Sequence, residues 1–453
     1  MRYHFLARRA RNTVSSFAVA LAMVGCSSKI LGVDTPDVLS ASALGGSLGA
    51  TTVRNGAMQD FTVAFSGTQD GFVVSTGNMG DEIQTSDTFA DRYFTDGRRQ
   101  TEVLGGALDG MYNSLHLARS DLSAAIKAWT AAKSTTVAAV KDSLSELYAM
   151  RGLSENLFAE AYCSGVPFST VAADGSFSYG APQTTAQMLT AATASIDSAL
   201  ALATGTTYRY FAQVSKGRAL LNAGQFAAAA AAVAGVPTSY KYTLYHSVAT
   251  GRQQNGIFNA TFQGGSRYTV GTKEGTNGLD YLTTPADPRV PWTPSTRTGF
   301  DGTSRNLPVE QKYPAQGSSF VLSDGVEARL IEAEARLQGA TQADRDATFA
   351  LLNTLRATGL ATAIAALPTS PATQDAAVDM LFKERAFWLW LTGHRFGDMR
   401  RLLRQYGRSQ ANVFPVGTLA LRPSDTYGTD VTFVVPFPER NNPLFTGCID
   451  RKP

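Results

Sequence analysis

The sequence has few of the residues that most enzymes use to hold metals or cofactors. Its 453 residues include only three cysteines and four histidines. The histidines are isolated in the sequence and belong to no HExxH motif or Cys/His cluster, so a dedicated zinc site is not expected. They are His4, His116, His246 and His394. No Walker loop or dinucleotide-binding fingerprint occurs either, and we predict that the protein uses no cofactor and no metal.

Net charge is also nearly absent once the N-terminal segment is set apart. The formal charge of the whole chain is +3, but residues 1–25 contain four arginines and no acidic residue. Without those residues the formal charge is −1. A chain so close to neutrality lacks the basic surface that nucleic-acid binding requires. We therefore expect no nucleic-acid partner.

Residues 1–25 have the features of a lipoprotein signal peptide. Basic residues precede an apolar stretch that is shorter than the roughly 20 residues needed to span a membrane. The following VGC resembles a bacterial lipobox, which predicts lipid attachment at Cys26. Residues 26–37 would then form a lipidated tether, and ordinary secretion is the alternative. No later stretch is long and apolar enough to span a bilayer.

Apolar residues at helical spacing predict a mainly α fold. The clearest predicted helical segments are 143–162, 184–203, 212–237, 325–340 and 347–361. Within residues 212–237 an NAGQF turn is followed by Ala229, Val233 and Pro237, as is typical of the second half of a tetratricopeptide repeat. Because the repeats are degenerate and widely separated, we expect packed tetratricopeptide-like helical hairpins with few short strands.

A long stretch of different composition interrupts these helices. Residues 241–320 are rich in Gly, Thr, Ser, Asn and Pro and contain scattered aromatic residues. Such a loop-rich insertion is either disordered or a functional surface, and its aromatic content favours a functional surface. We select Tyr93, Trp292 and Tyr313 as candidate ligand-binding residues because each lies in polar, loop-like surroundings. In the tail, TFVVPF (432–437) is strand-like.

Two short patterns could be taken for catalytic motifs, but their surroundings do not fit. GGSLG (45–49) matches G-x-S-x-G, yet a nucleophile elbow follows a hydrophobic strand, and SASAL before it favours a small-residue helix. Asp81 and Glu82 could be imagined as the acid/base pair of a glycosidase. Adjacent carboxylates normally diverge, so we interpret these two as part of a solvated turn or helix start. We predict no catalytic residues.

Residues 382–401, FKERAFWLWLTGHRFGDMRR, place many charges around an apolar helix. Their apolar positions follow helical spacing, so one face of the helix is expected to be buried. Charges buried with that face must be paired, because an unpaired buried charge is costly. The expected pairs join Glu384 and Asp398 to Arg385, Arg395 or Arg401. We therefore interpret this segment as scaffold.

Several blocks in this order resemble the SusD/RagB family of outer-membrane nutrient-uptake lipoproteins. The blocks are ELYAMRGLSENLFAEAYCSGVPF, ALLNAGQFAAAAAAV, DPRVPW, EARLIEAEARL with NTLRATGL, FKERAFWLWLTGHRFGDMRR and VPFPERNNPLF. The resemblance covers residues 143–445 with gaps in the middle. Its strongest element is similar to a core helix of the family and comprises Glu384, Arg385, Gly393, His394, Arg395, Asp398 and Arg401. Trp388 and Thr392 depart from the family pattern, where acidic residues are common.

The resemblance implies a SusD-like fold and a capture function without catalysis. Family members are anchored by lipid in the outer membrane and face the cell surface. They pass an oligosaccharide, or in some members a peptide, to a SusC-like TonB-dependent outer-membrane transporter. By this comparison residues 38–240 form an N-terminal tetratricopeptide-like helical region. Residues 241–320 form a loop-rich ligand-facing region, and residues 321–453 form a C-terminal SusD/RagB-like helical region with an irregular tail.

Two functions of other classes also fit the sequence at this point. One is a surface-anchored helical glycosidase, which would release sugar from a polymer. The other is a lipid-tethered tetratricopeptide adaptor, which would bind an envelope protein and have no affinity for glycans. Capture by a SusD-like protein predicts binding without turnover, so the three functions differ in what purified protein would do.

The cysteines that are left after Cys26 allow two states. An oxidising compartment would permit a disulfide between Cys163 and Cys448. The sequence does not tell whether their Cα atoms come within disulfide range, so two separately buried thiols are the alternative.

Overall fold

A computed structural model of the protein describes residues 46–101, 105–171, 176–263, 266–283 and 285–453. The signal peptide predicted for residues 1–25, the tether of residues 26–37 and lipid attachment at Cys26 lie outside the described residues. From Ala50 to Pro453 the chain forms one unit. No helix in the described ranges combines the length and the apolar character that crossing a membrane requires.

Helices provide most of the regular structure. The α-helices are α1 (Gly46–Thr62), α2 (Phe72–Met79), α3 (Ala90–Asp96), α4 (Ala107–Ala132), α5 (Ala138–Ala161), α6 (Thr185–Leu202), α7 (Thr206–Asn222), α8 (Phe226–Val233), α9 (Gly256–Phe258), α10 (Gly325–Leu337), α11 (Gln342–Thr358), α12 (Gln374–Trp388), α13 (Arg395–Arg404) and α14 (Gln410–Val413). Short π-helical turns cover Val63–Gly67 and Asn259–Gln263, and 3₁₀ turns cover Gly251–Gln253 and Phe437–Asn441. The predicted mainly α fold is confirmed.

The longer helices pack as successive hairpins. Helix α4 packs on α5, α5 on α6, α6 on α7 and α7 on α8, after which α8 contacts α10 and α10 contacts α11 and α12. Two glycines permit close approach within these hairpins. A Cβ added to Gly152 in α5 would lie 2.6 Å from Ile196 Cγ1 in α6, and one added to Gly217 in α7 would lie 2.6 Å from Val233 Cγ1 in α8. Both distances are too short for packed carbon atoms.

Two of these helices begin at a capping box. Thr184 accepts a hydrogen bond from the backbone N–H of Gln187, whose side chain accepts one from the Thr184 N–H, and this capping box begins α6. Thr341 and Asp344 form the same arrangement at the start of α11. Each capping box satisfies backbone donors that the helix itself leaves free. Such signals lie within a few residues of each other, so the sequence alone reveals them.

The strands are short and paired two by two. They are β1 (Ile83–Thr85), β2 (Val166–Pro167), β3 (Thr170–Val171), β4 (Phe177–Ser178), β5 (Pro182–Gln183), β6 (Lys241–Leu244), β7 (Tyr268–Val270), β8 (Trp292–Thr293), β9 (Val309–Glu310), β10 (Phe320–Asp324), β11 (Thr418–Leu419) and β12 (Arg422–Thr426). The antiparallel pairs are β1 with β7, β2 with β5, β3 with β4, β6 with β10, β8 with β9 and β11 with β12.

The strand-like interpretation of TFVVPF is wrong. Within it Phe433 makes a single parallel bridge to Tyr162, just after the end of α5, and Phe437 already belongs to a 3₁₀ turn. The segment is apolar because Phe433, Val434 and Val435 are buried in the core. An apolar run of this length does not distinguish a strand from a buried irregular segment, and Pro436 donates no backbone hydrogen bond.

Apolar packing and one disulfide hold these parts together. The larger apolar cluster runs through α4, α5, α6, α12 and α13, and a smaller one lies between α7, α8 and α10. Cys163 and Cys448 form a disulfide with a Cα–Cα distance of 5.9 Å. The bond fixes the C-terminal tail next to the end of α5. Of the two states that the sequence allowed, the structure has the disulfide.

Candidate functional site

Two phenylalanine rings stand out because they are exposed and close together. Phe89 is 53% exposed and Phe300 is 40% exposed. Their ring centroids lie 6.3 Å apart with an interplanar angle of 28°. Large aromatic side chains normally lie inside a protein, and a group of them at the surface often marks a binding site. We call this pair the aromatic platform.

Hydrogen bonds between two loops set the position of the platform. Phe89 lies directly before α3, and its backbone N–H donates to Asp87 Oδ1 at 3.1 Å. The N–H of Asp301, next to Phe300, donates to the carbonyl oxygen of Ser86 at 2.9 Å. This bond joins the loop of Phe300 to the loop of Phe89. The two rings therefore meet although they are far apart in the sequence.

Arginine side chains lie against the rings of the platform. The guanidinium carbon of Arg267 is 3.7 Å from the ring centroid of Phe300 and 5.1 Å from that of Phe89. That of Arg92 is 5.4 Å from the Phe89 centroid. Both arginines donate to Asp87 Oδ2, at 2.7 Å from Arg92 and 2.6 Å from Arg267. The carboxylate thus holds two cations in place beside the rings.

Asp87 remains ionised in this arrangement. Burial by itself would raise the pKa of its carboxyl group, because burial disfavours the charged form. The hydrogen bonds from Arg92 and Arg267, with one from the Phe89 N–H, outweigh burial and hold the pKa below its ordinary value. Asp70 also pairs with Arg92, so the platform is built on paired charges and presents its rings to solvent.

Tyr93, one of the three residues predicted to bind ligand, lies beside this platform. It is half-buried on α3, and the guanidinium carbon of Arg422 lies 4.3 Å from its ring centroid. Arg422 also donates to the backbone oxygen of Asp87. This arginine links Tyr93 to the loop that carries Phe89. The ligand-binding role of Tyr93 stays a prediction.

The other two predicted residues lie elsewhere. Tyr313 is only 3% exposed, and its ring stacks on Phe320 with centroids 5.4 Å apart. Its hydroxyl donates to the backbone oxygen of Leu391 at 3.1 Å. Trp292 is half-buried on β8, opposite Glu310 of β9. The structure therefore does not bring the three candidates together, and ligand contact by Trp292 and Tyr313 stays a prediction.

Tyr313 lines a cleft of about 380 Å³ that also includes Lys312 and Trp388. Lys312 donates to the backbone oxygen of Trp390, and burial lowers its pKa to about 8. The indole Nε1 of Trp388 is buried without a hydrogen-bond partner among the described residues. A cleft of this size could hold a small ligand. The cleft lies within the scaffold and is lined partly by buried residues, whereas the rings of the platform stand exposed at the surface.

Most charges of residues 382–401 are buried and paired, whereas Lys383 is exposed and the buried Arg400 donates to backbone oxygens of α5. Arg385 Nε lies 2.7 Å from Asp398 Oδ2, and Arg401 Nη2 lies 2.6 Å from Asp398 Oδ1. Burial would raise the pKa of Asp398, but the two arginines outweigh burial and hold that pKa well below its usual range. Arg395 instead pairs with Asp81, through bonds of 2.7 and 2.8 Å. We call these residues the buried charge cluster.

One predicted partner in this segment is wrong. Glu384 does not pair with any of the three arginines proposed for it. It accepts from Arg289 at 2.8 Å and from Arg356 at 2.7 Å. Both arginines come from parts of the chain that the local pattern does not include. At the exit of α12, Thr392 Oγ1 lies 2.9 Å from His394 Nδ1, and His394 Nε2 lies 3.0 Å from Glu327 Oε1.

Asp81 and Glu82 do not form a solvated turn, as the sequence suggested. Asp81 is 0% exposed and Glu82 is 1% exposed. Glu82 accepts a hydrogen bond from the Leu391 N–H at 2.7 Å, and burial raises its pKa from 4.5 to about 8. Because no glycosidic bond could reach either carboxylate, the pair does not fit the acid/base site of a glycosidase. Both residues support the exit of α12.

No group of three or more His, Cys, Asp or Glu side chains among the described residues is arranged to hold a metal ion. Phe89 and Phe300 are not among the residues that were predicted to bind ligand. A signal for them exists, since each lies among residues typical of turns, in SDTFAD and RTGFDGTS. An aromatic residue in such a turn has few neighbours to bury it. The signal does not, however, show that the two turns meet.

No family model matches the sequence, and no curated protein matches it either. Solved structures do match. A SusD-like protein from Bacteroides fragilis has a TM-score of 0.66 at 11% identity and covers 91% of this chain and 98% of its own. A SusD-like carbohydrate-binding protein from Bacteroides vulgatus has 0.56 at 17%, covering 78% and 83%. A laminarin-binding SusD-like protein has 0.60 at 12%, covering 89% and 99%. At these identities the likeness is one of fold.

Proposed function

Because the chain has the SusD-like fold, we propose that it binds carbohydrate at the aromatic platform and does not cleave it. The observation that carries this proposal is the exposed pair Phe89 and Phe300, with centroids 6.3 Å apart. Flat rings pack against the apolar faces of sugar rings, while nearby polar groups meet the hydroxyls. An open surface of this kind suits one stretch of a long polymer.

The arginines give a second reason to propose a sugar as the ligand. Arg92 is paired with Asp70 and Asp87 and Arg267 is paired with Asp87, so two carboxylates balance the two cations that lie against the rings. Their remaining N–H groups can still donate hydrogen bonds to neutral hydroxyls. A ring that is held by a neighbouring cation also loses little conformational freedom on binding. The site is therefore preorganised for an uncharged, hydroxylated ligand.

Two of the structural neighbours favour the same ligand class. One is described as a carbohydrate-binding protein and another as a laminarin-binding protein. Within this class, an oligosaccharide is the ligand we propose, and a peptide is the alternative that a screen would reveal. Tyr93 belongs to the proposed site because Arg422 links it to the loop of Phe89.

We further propose that the protein works as a lipid-anchored receptor on the outer membrane. The leader of residues 1–25 and its VGC motif support an anchor at Cys26. In this proposal the captured ligand passes to a SusC-like TonB-dependent transporter. Co-purification of a large β-barrel protein with the native, lipidated chain would test the partner. A tetratricopeptide-type adaptor would instead bring down another envelope protein and bind no glycan.

The binding proposal is tested with mature protein purified in detergent. Its binding to laminarin, pullulan, xyloglucan, arabinoxylan, levan and α-mannan is measured by isothermal titration calorimetry. The double variant Phe89→Ala/Phe300→Ala should bind the preferred polymer at least about tenfold more weakly, because both stacking surfaces are lost. Tyr245→Ala is the matched control, since this ring is 79% exposed and lies outside the platform.

Chromatography of each polymer after long incubation shows whether sugar is released. We expect binding with no release. Release of sugar would replace the capture proposal with a glycosidase, and failure to bind any polymer of the panel would contradict a carbohydrate ligand. If the double variant binds as tightly as the wild type, the platform is not the site.

A further inference from the structure

A second pair of exposed aromatic rings lies on the hairpin formed by β3 and β4. Phe177 is 68% exposed and Tyr179 is 47% exposed. Their centroids lie 6.5 Å apart and their planes differ by only 18°. The two residues are two positions apart at a short strand, so their side chains leave the same face of the hairpin. Two nearly parallel rings exposed to solvent form an aromatic surface on the hairpin.

These rings border a cleft of about 220 Å³. Its opposite wall is the C-terminal segment Pro436–Asn442, and its floor includes Tyr112 from α4. The Asn442 side chain donates to the backbone oxygen of Gly180 at 3.0 Å and thereby ties the wall to the hairpin. The disulfide between Cys163 and Cys448 fixes the same tail nearby. A hydrogen bond and a disulfide therefore fix the position of the C-terminal wall of the cleft.

The polar groups of this cleft are mostly neutral. The polar lining residues are Tyr112, Asn113, Ser169, Tyr179, Glu439, Asn441 and Asn442. Glu439 is the one carboxylate among these lining residues, and both of its oxygens are already engaged. Oε2 accepts from the Tyr112 hydroxyl at 3.0 Å, and Oε1 accepts from the Asn442 amide at 3.2 Å. Amides and hydroxyls around exposed aromatic rings match an uncharged, hydroxylated ligand, while Glu439 disfavours an anion.

We propose that this cleft is a second carbohydrate-binding site, which holds another segment of the polymer bound at the platform. We call it the second aromatic site. The proposal rests on the proposed function, because it names where the same class of ligand makes a further contact. It commits to a sugar and not to a protein surface, since the flat rings are combined with neutral hydrogen-bonding groups in a cleft.

Helix α4 contacts the surroundings of both sites. A Cβ added to Gly106, directly before α4, would lie 2.4 Å from Asp91 Oδ2, two residues after Phe89 of the platform. Tyr112, in the floor of the cleft, follows six residues later. Helical rise separates Gly106 and Tyr112 by only about 9 Å. The start of α4 thus lies against α3 near Phe89, its next turns reach the cleft, and both sites belong to one unit of the chain.

Two sites on a rigid body make binding depend on ligand length. A short oligosaccharide occupies one site at a time. A polymer that reaches both sites makes the second contact at a high effective concentration, so its affinity gains without any new kind of contact. The second aromatic site should therefore contribute to polymer binding and contribute nothing to the binding of a trisaccharide at the platform.

The test compares three proteins with each polysaccharide of the panel and with the matching trisaccharides. They are the full mature wild type, Phe177→Ala/Tyr179→Ala and the control Tyr245→Ala. We expect the double variant to bind the preferred polymer at least tenfold more weakly and its trisaccharide with unchanged affinity. The control should match the wild type for both ligands. Thermal melting by circular dichroism checks that every variant is folded.

Each outcome supports or overturns the second aromatic site, the proposed function or both. If Phe177→Ala/Tyr179→Ala binds the polymer as tightly as the wild type, the second aromatic site is wrong and capture at the platform stands. If the folded variant loses polymer and trisaccharide alike, a separate second site is also wrong. If the wild type binds no polysaccharide, both the proposed function and the second aromatic site are overturned. Weaker binding of the polymer alone supports the second site.

Discussion

Arginine side chains serve different purposes in the buried charge cluster and in the aromatic platform. In the cluster, Arg385, Arg395 and Arg401 are fully paired with carboxylates and are 7% exposed or less. In the platform, Arg92 and Arg267 share the buried Asp87, Arg92 also pairs with Asp70, and both guanidinium groups lie against exposed rings. Density of charge therefore does not locate the candidate site. The candidate site is located instead by the apolar surface that stays exposed once the charges are paired.

The largest effect is expected from breaking the buried charge cluster. Asp398→Ala leaves Arg385 and Arg401 with Glu334 as their remaining carboxylate neighbour. Removing one partner of a buried ion pair costs about 3–5 kcal/mol, so the free energy of unfolding should fall by that amount. Urea denaturation of the variant and the wild type measures it.

Asp375→Ala is the control for this prediction. Asp375 also faces an arginine, at 3.3 Å from Arg408, but its side chain is 83% exposed. Exposed pairs contribute about 1 kcal/mol or less because water and salt screen them. Equal losses in the two variants would contradict the structural role that we assign to the cluster.

The next largest effect is expected from the disulfide, which joins the C-terminal tail to the scaffold. Cys163→Ala/Cys448→Ala opens a loop of 285 residues. Loss of such a bond typically costs about 2–5 kcal/mol, partly because the unfolded chain gains freedom. We expect a clear fall in the denaturation midpoint, while a trisaccharide still binds at the platform. Loss of trisaccharide binding by folded protein would show that the platform depends on the tail.

How far the sequence predicts these regions depends on the distance between partners. The helices α5 and α6 were predictable because periodic apolar residues and a following proline or glycine lie within a short segment, and α6 also begins at a capping box. Pairing of Asp398 with Arg385 was predictable for the same reason. The partners of Arg395 and Glu384 were not, since Asp81, Arg289 and Arg356 lie in other parts of the chain.

The platform was beyond prediction for a related reason. Each of its rings could be recognised as an aromatic residue in a turn, but only the fold brings the two turns together. Tyr93 was selected from its polar surroundings and does lie beside the platform. Tyr313 was selected on the same grounds and is almost completely buried. Polar neighbours in the sequence therefore do not predict exposure, because tertiary contacts decide which side of a loop faces water.

A moderate effect that depends on pH is expected from Glu82 in the buried region. Folded protein holds the Glu82 proton up to about pH 8, whereas the unfolded chain releases it near pH 4.5. This group therefore stabilises the fold fully below about pH 4.5, and its contribution is lost as the pH rises to about 8. Glu82→Gln has no proton to lose, so its stability relative to the wild type should increase over that range by up to about 1.4 kcal/mol per pH unit.

Urea denaturation at pH 5, 6, 7 and 8 measures the difference between Glu82→Gln and the wild type. Lys312 lies near Glu82 and has a pKa lowered to about 8, so measurements stop at that pH. Asp375→Asn, a change at an exposed carboxylate, should show a constant difference from the wild type. A constant difference for Glu82→Gln would mean that the Glu82 proton is not held by the fold.

The smallest effect is expected where an arginine supports a ring and does not hold the core together. Arg267→Gln removes the guanidinium group 3.7 Å from the Phe300 centroid and leaves both rings of the platform in place. Stacking of this kind is worth about 0.5–1 kcal/mol at an exposed site, so the Kd for a trisaccharide should rise only two- to fivefold. Arg305→Gln, which makes the same charge change at an exposed position of the Phe300 loop, is the control. If both variants bind equally well, Arg267 does not preorganise the platform, and the difference between the two groups of arginines is one of burial alone.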